Sequence, residues 1–150
     1  MDQMITLRPA QLRDYPHLAS MLRTLAQTYI VPGMPVEAAA TFLRANDEAG
    51  LLGYRAQGHV VSVAEVDGAI AGFIAIRPPS HLFHLFVAQP FHRRGIARFL
   101  WEHARGEAAV FTVNASPYAI PAYAAMGFEC AGPLACHNGV TFQPMMYRRN

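Results

Sequence analysis

The chain has 150 residues, of which 53% are hydrophobic and 15% charged, and it carries a formal net charge of +2. A chain of this length buries roughly 70% of its unfolded surface without a metal or disulfide, and this composition excludes a disordered chain. All 12 basic residues are arginine, which excludes Schiff-base chemistry and a lysine-based phosphate loop, and so small a net charge gives no argument for nucleic acid.

Residues 4–8 read as a first strand. Residues 11–29 set Leu12, Tyr15, Leu18, Leu22 and Leu25 near a helical period, and Val31-Pro32-Gly33 ends that helix. Residues 36–46 form a shorter helical candidate. Two strands follow at 59–66 and 69–76, joined by Asp67-Gly68, a strong hairpin signal. Residues 81–87 make another strand, 96–105 a helix and 110–113 a short buried strand. A helix over 117–126 has proline near its start and Gly127 just past its end. Strands at 128–132 and 140–147 close the chain. The order β-α-α-β-β-β-α-β-α-β-β, with three consecutive central strands, excludes a simple doubly wound sheet. It implies a mixed sheet covered on its faces.

Cys130 and Cys136 are too few for a disulfide framework, and His137 beside them does not complete a zinc set, so no metal is expected. Free thiols point to a reducing cytoplasm. The beginning, MDQMITLRPA, lacks a signal pattern, and no apolar run reaches about 18 residues, so neither secretion nor a membrane span is expected.

The stretch LFVAQPFHRRGIAR, residues 85–98, runs from a strand through a basic turn into a helix. The first amides of a helix lack intrahelical partners and stand at the positive end of its dipole, which suits an anion. Gly95 permits close backbone approach, Ala97 leaves room, and Arg93, Arg94 and Arg98 add charge. Taken alone, this stretch is either a phosphate cradle or an ordinary loop with exposed arginines.

Three further segments accompany it. TVNASPYAIPAYAAMGF carries Asn114, Ala119, Tyr123, Gly127 and Phe128; DGAIAGFIAI forms the hairpin; NGVTFQPM lies near the C-terminus. Together with VAQPFHRRGIA, these resemble the GNAT superfamily of acetyl-CoA-dependent N-acetyltransferases over residues 4–147. His92 departs from the family's usual glutamine or arginine at its position. The resemblance implies a single domain over 1–150 with an α/β GNAT fold, a mixed, mostly antiparallel sheet of about seven strands flanked by about four helices. It also implies transfer of acetyl from acetyl-CoA to a primary amine of a small molecule or peptide, by direct attack in a ternary complex. The cofactor-binding residues it implies are Leu85, Phe86 and Val87 on the strand, and His92, Arg93, Arg94, Gly95, Ile96, Ala97 and Arg98 in the loop and helix start. Asn114 and Tyr123 complete that set.

Direct attack needs a neutral amine, an acceptor for its proton, a donor for the carbonyl oxygen and stabilisation of the departing thiolate. Tyr123 matches the family's general acid; the alternative is a tyrosine packed on the cofactor without proton transfer. His81, at the start of the strand HLFHLFV, is the candidate base, and strand alternation sets it on one face with Phe83, Leu85 and Val87. Glu65 is the competing base. A backbone amide near Val87 is the expected oxyanion donor, and Ser116 is a helix cap rather than a nucleophile, for want of a nucleophile elbow. Two other readings stand beside this one: a non-catalytic acyl-CoA sensor, and a nucleic-acid surface built on Arg93, Arg94, Arg98 and Arg105. No nucleic-acid motif supports the second. The few carboxylates, Glu37, Asp47 and Glu48, favour a small amine over a polycation. A homodimer through an exposed last strand is a further expectation.

Overall fold

The computed structural model describes residues 4–149. Asp67 and Gly68 both adopt left-handed backbone, with φ of 51° and 86°. Two such residues in a row fit a right-twisted hairpin, and they join β2 (Val60–Val66) to β3 (Ala69–Arg77). Ahead of them come β1 (Ile5–Pro9), α1 (Tyr15–Tyr29), α2 (Val36–Ala45) and α3 (Glu48–Ala56). After them come β4 (His81–Val87), α4 (Ile96–Ala104), β5 (Val110–Ala115), α5 (Ile120–Ala125), β6 (Glu129–Cys130), β7 (Ala135–His137) and β8 (Val140–Arg148).

The strands form one sheet in the order β1-β2-β3-β4-β5-β8-β6, with β7 also on β8. Only β4 and β5 run parallel; the other pairs are antiparallel. The mixed, mostly antiparallel sheet with helices on its faces is the expected architecture, with one more strand and one more helix. The extra helix, α3, begins at an Asp47 cap whose carboxylate accepts from the Gly50 amide at 2.8 Å. At the other end of the layer, α1 starts later than its periodicity suggests. Asp14 accepts from the Gln11 amide and from Arg8, both at 2.7 Å, which shapes residues 12–14 into a 3-10 turn before the helix. The Arg8 hydrogen bond holds the Asp14 carboxyl down to about 2.

Each face of the sheet has its own core. Ile96, Leu100 and Trp101 of α4 and Tyr123 of α5 pack with Ile74, Leu82 and Met145 on one side. Leu18, Leu22 and Leu25 of α1 and Leu51 of α3 pack with Val63 and Phe73 on the other. This is the inward stripe of an amphipathic helix meeting alternate residues of a strand.

β4 departs from simple alternation. Ala75 pairs with His84 and Ile76 with Leu82, so Phe83 is an extra residue in the strand. A bulge of this kind reverses the faces on either side of it. Leu82, Leu85 and Val87 therefore share the α4 side, while Phe83 contacts His59, Tyr54 and His84 on the α1 side. The single-face expectation for His81, Phe83, Leu85 and Val87 is corrected accordingly. His81, next to the α4-facing Leu82, turns toward the α1 side with Phe83.

His84 bonds Asn46 through Nε2 at 2.9 Å, and burial pushes its imidazole down to about 3. In the unfolded chain the same group titrates near 6.5. The folded state thus keeps it neutral, and stability present above pH 6.5 is lost as pH falls below that value. The loss is up to about 1.4 kcal/mol per pH unit for a fully shifted group. Thermal melts at pH 7 and pH 5 should show a lower Tm at pH 5, and His84→Gln should lower Tm at pH 7 but shrink that difference. A second expectation concerns Gly72, where a Cβ would lie 2.6 Å from the Phe86 carbonyl oxygen and 3.2 Å from the Val87 Cα. Gly72→Ala should cost about 1–3 kcal/mol in urea unfolding, since backbone rather than a side-chain tip must move.

Candidate active site

β4 and β5 pair at only two positions, His81 with Thr112 and Leu82 with Val113, and then part. Each remains held on its outer side: β4 by β3 as far as Gly72 opposite Val87, and β5 by β8 as far as Ala115 opposite Gln143. The stretch of β4 with Leu85, Phe86 and Val87 therefore presents an unpaired edge inside the sheet, a place where buried amides and carbonyls call for a partner. Asn114, exposed, lies on β5 where that strand has left β4.

Just beyond Val87 the chain makes a short 3-10 turn over Gln89–Phe91 and reaches the loop before α4. Arg93 and Gly95 both have positive φ, 64° and 77°, and Gly95 is the N-cap of α4. Among the described residues, the amides of Arg93, Arg94, Gly95, Ile96, Ala97 and Arg98 donate to no protein acceptor. Consecutive free amides at the start of a nine-residue helix form an anion cradle of the kind a pyrophosphate fills.

The side chains around this loop divide the work unevenly. Arg93 and Arg94 are exposed, and the Arg94 guanidinium lies 5.5 Å from the centre of the Phe91 ring. Arg98 instead donates to the Ala125 carbonyl at 2.8 Å and pairs with Glu102 at 3.5 Å, so it offers the loop its amide rather than its charge. Arg105 is held by the Tyr147 hydroxyl and ring. His92, the position that departs from the resemblance, donates from Nε2 to the Val87 carbonyl at 2.6 Å. It ties the loop to the end of β4.

Tyr123 reaches this region from α5. The Gly127 amide bonds the Ala124 carbonyl at 3.1 Å and the Phe128 amide bonds the Tyr123 carbonyl at 3.0 Å, with Gly127 at φ 100°. That is a Schellman ending, and it explains why glycine and phenylalanine follow the tyrosine at this spacing. The Tyr123 ring packs edge-on to Phe128 and shares a cluster with Leu85 and Val87. Burial pushes its phenol well above the usual range, so the hydroxyl stays protonated at neutral pH.

His81 lies at the closed end of the opening, its Nδ1 2.7 Å from the Thr112 hydroxyl. Burial, then the charge of Arg77, pushes it down to about 4. Glu65 is elsewhere: it bonds Arg8 at 3.0 Å on β2, with β3 between it and β4.

Two residues without a sequence signal for this site complete its mouth. Tyr29, the last residue of α1, stacks on Tyr118 with centroids 4.4 Å apart, and it lies 6.1 Å from the His92 ring. Beside them, a groove of about 400 Å³ runs between α1, at His17, Ser20, Met21, Thr24 and Leu25, and residues 88–90. Among the described residues, no group of three His, Cys, Asp or Glu side chains is placed to hold a metal, and no helix is long and apolar enough to cross a membrane.

The fold is shared with known acetyltransferases. A GCN5-related N-acetyltransferase from Rhodopseudomonas palustris superposes with a TM-score of 0.77 at 24% identity, covering 99% of each chain. PaiA N-acetyltransferase from Thermoplasma acidophilum, solved with coenzyme A, gives 0.75 at 17% identity over 97% of this chain and 99% of that one. N-acetylglutamate synthase from Neisseria gonorrhoeae, solved with coenzyme A and N-acetyl-glutamate, gives 0.69 at 20% identity, this chain matching 36% of that one. Comparison with curated protein sequences gave no significant match. Residues 30–149 match the Acetyltransferase (GNAT) domain. The chain thus belongs to the GNAT acetyltransferases, enzymes that take their acetyl group from acetyl-CoA.

Proposed function

We propose that this single-domain enzyme transfers acetyl from acetyl-CoA to a primary amine of a small molecule or peptide, by direct attack within a ternary complex. The observation that carries this reading is the parting of β4 from β5 beside a run of unpartnered amides. The edge at Leu85, Phe86 and Val87 suits the pantetheine amides, and the amides of residues 93–98 suit the pyrophosphate. Arg93 and Arg94 add charge, and Asn114 flanks the cofactor arm from β5. Acetyl-CoA supplies the activated thioester; the protein supplies position and polarity.

Direct attack is favoured over an acyl-enzyme because the thiols are remote. Cys130 and Cys136 lie on β6 and β7, and β8 separates those strands from β5. The nucleophile is then the amine, which at a pKa near 10.4 is neutral in only about one molecule in a few thousand at pH 7. The neutral amine attacks, and the proton that its nitrogen then sheds passes, directly or through water, to the one ring nitrogen of His81 not engaged by Thr112. An imidazole held near 4 is neutral and ready to accept at neutral pH, and it passes the proton on to solvent. Tyr123 donates to the departing sulfur. The departing thiolate, whose thiol has a pKa of about 8.5, is a weaker base than this raised phenolate, so Tyr123 mainly stabilises the thiolate through a hydrogen bond. His92 has no direct part: it positions the carbonyl end of β4. An acyl-CoA sensor would bind the cofactor without releasing thiol in the presence of any amine.

Thiol release from acetyl-CoA with a panel of primary amines tests the reading directly. Tyr123→Phe should lower kcat by about 10- to 100-fold, toward the small end of general acid catalysis, with little change in cofactor affinity. Full turnover in that variant, with unaltered pH dependence, would remove Tyr123 from the chemistry. For the base, the sign follows from the lowered imidazole: His81 is already unprotonated above about pH 5. The kcat/KM profile should therefore rise with pH as the amine deprotonates, without a break near 6.5, and His81→Ala should lower it throughout. A break near 6.5 would point to a different base.

A further inference from the structure

In the aromatic pair at the mouth of the opening, Tyr29 packs against the α1-side core while Tyr118 stands largely exposed. Tyr29 ends α1, Tyr118 follows β5, and His92 follows β4, so the three gather where the two parted strands end. One face of Tyr118 lies on Tyr29 at an interplanar angle of 24°, yet the residue remains 57% exposed. An ordered aromatic ring with a free surface, braced from behind by a second ring, is a contact surface prepared in advance. His92, 6.1 Å from the Tyr29 ring, is itself held at the end of β4 by the 2.6 Å bond to the Val87 carbonyl.

The charge around it is equally selective. Burial, then the neighbouring Tyr29, pushes the Tyr118 phenol up, so its hydroxyl is neutral at neutral pH. The adjoining groove of about 400 Å³ continues along the α1 face of Met21 and Leu25, one helical turn before Tyr29, and no carboxylate lines it. Asp47 is occupied as the cap of α3. A second ammonium group on the acceptor would meet no carboxylate in this groove, whereas an apolar body would meet Met21, Leu25, Ala88 and Pro90.

Resting on the amine-acetylation reading, we propose that Tyr118, backed by Tyr29, is the acceptor's recognition platform, and that the acceptor is an amine carried on a planar aromatic body with no second cationic centre. Aromatic stacking contributes beyond burial alone by roughly two- to tenfold in affinity. Three probes separate stacking from burial and charge: 2-phenylethylamine, 2-cyclohexylethylamine and spermidine. In the wild type, kcat/KM should favour the phenyl over the cyclohexyl amine by about three- to tenfold, with spermidine poorest. Tyr118→Ala should bring the phenyl-to-cyclohexyl ratio to about one by raising KM for the phenyl amine, while Tyr118→Phe should retain the ratio.

An unchanged ratio in Tyr118→Ala, a preference for spermidine, or a rise confined to the KM of acetyl-CoA would overturn the proposal. Titration calorimetry of 2-phenylethylamine into the coenzyme A complex tests the platform without turnover. Weaker binding in Tyr118→Ala alongside no thiol release from any amine would uphold the platform while rejecting acetyl transfer. Equal binding in the two proteins would reject the platform even if transfer occurs.

Discussion

The parting of β4 from β5 is the constraint on which the rest of the molecule depends. Parallel strands in the middle of a sheet normally stay paired, because separating them leaves amides and carbonyls without partners. Here the two strands close at only two rungs, yet each is anchored on its outer side for most of its length. The bulge at Phe83 comes directly after the last rung at Leu82, where a redirected strand must turn away. Gly72 permits the remaining close approach, since its missing Cβ lets β3 follow β4 to Val87. The gap is thus a built feature, stabilised from outside and left polar inside. Under the proposed function, the pantetheine amides would complete the sheet there.

The loop that follows turns this geometry into a phosphate cradle by a different division of labour. Its shape needs left-handed backbone at residues 93 and 95, and only the second is glycine. An arginine with φ of 64° carries a cost of about 1–2 kcal/mol, which the surrounding contacts must offset. The His92 bond to Val87 and the stacking of Arg94 on Phe91 are the two that brace the turn. Arg98 braces it from α5, through the Ala125 carbonyl. The side chain that breaks the family pattern is therefore structural: it fixes the strand end, while the anion is left to backbone amides.

Local signals were legible and long-range ones were not. The Asp67-Gly68 hairpin, the α1 stripe, the loop around Gly95 and the Tyr123-to-Phe128 spacing each rest on short-range geometry, and each corresponds to a real element. α3 escaped because Gly50 and Gly53 dilute its helical preference, and its Asp47 cap is a single hydrogen bond. β7 is three residues long and exists by pairing with β8. The face of His81 was misassigned because alternation assumes a regular strand, and nothing in HLFHLFV announces a bulge opposite Ala75 and Ile76. The link from Glu65 through Arg8 to Asp14 joins residues far apart in the chain, so no local pattern reveals it. The stack of Tyr29 on Tyr118 joins a helix end to a distant loop, so no periodicity reveals it.

The two cores give the proposed reaction its direction. The anion cradle and Tyr123 belong to the side of the sheet that carries α4 and α5, packed with Leu85 and Val87. Tyr29, Phe86 and the groove along α1 belong to the opposite side. A continuous sheet would keep two ligands on those faces some 10 Å apart, the thickness of a packed layer. An opening between β4 and β5 removes that barrier without dismantling the α4-side core, because α4 packs across it on both Ile74 of β3 and Met145 of β8. Two reactants can then meet within the plane of the sheet while their recognition stays on separate faces. On the proposed reading, backbone amides hold the cofactor with Arg93, Arg94 and Asn114 beside them, and side chains on the α1 face meet the acceptor.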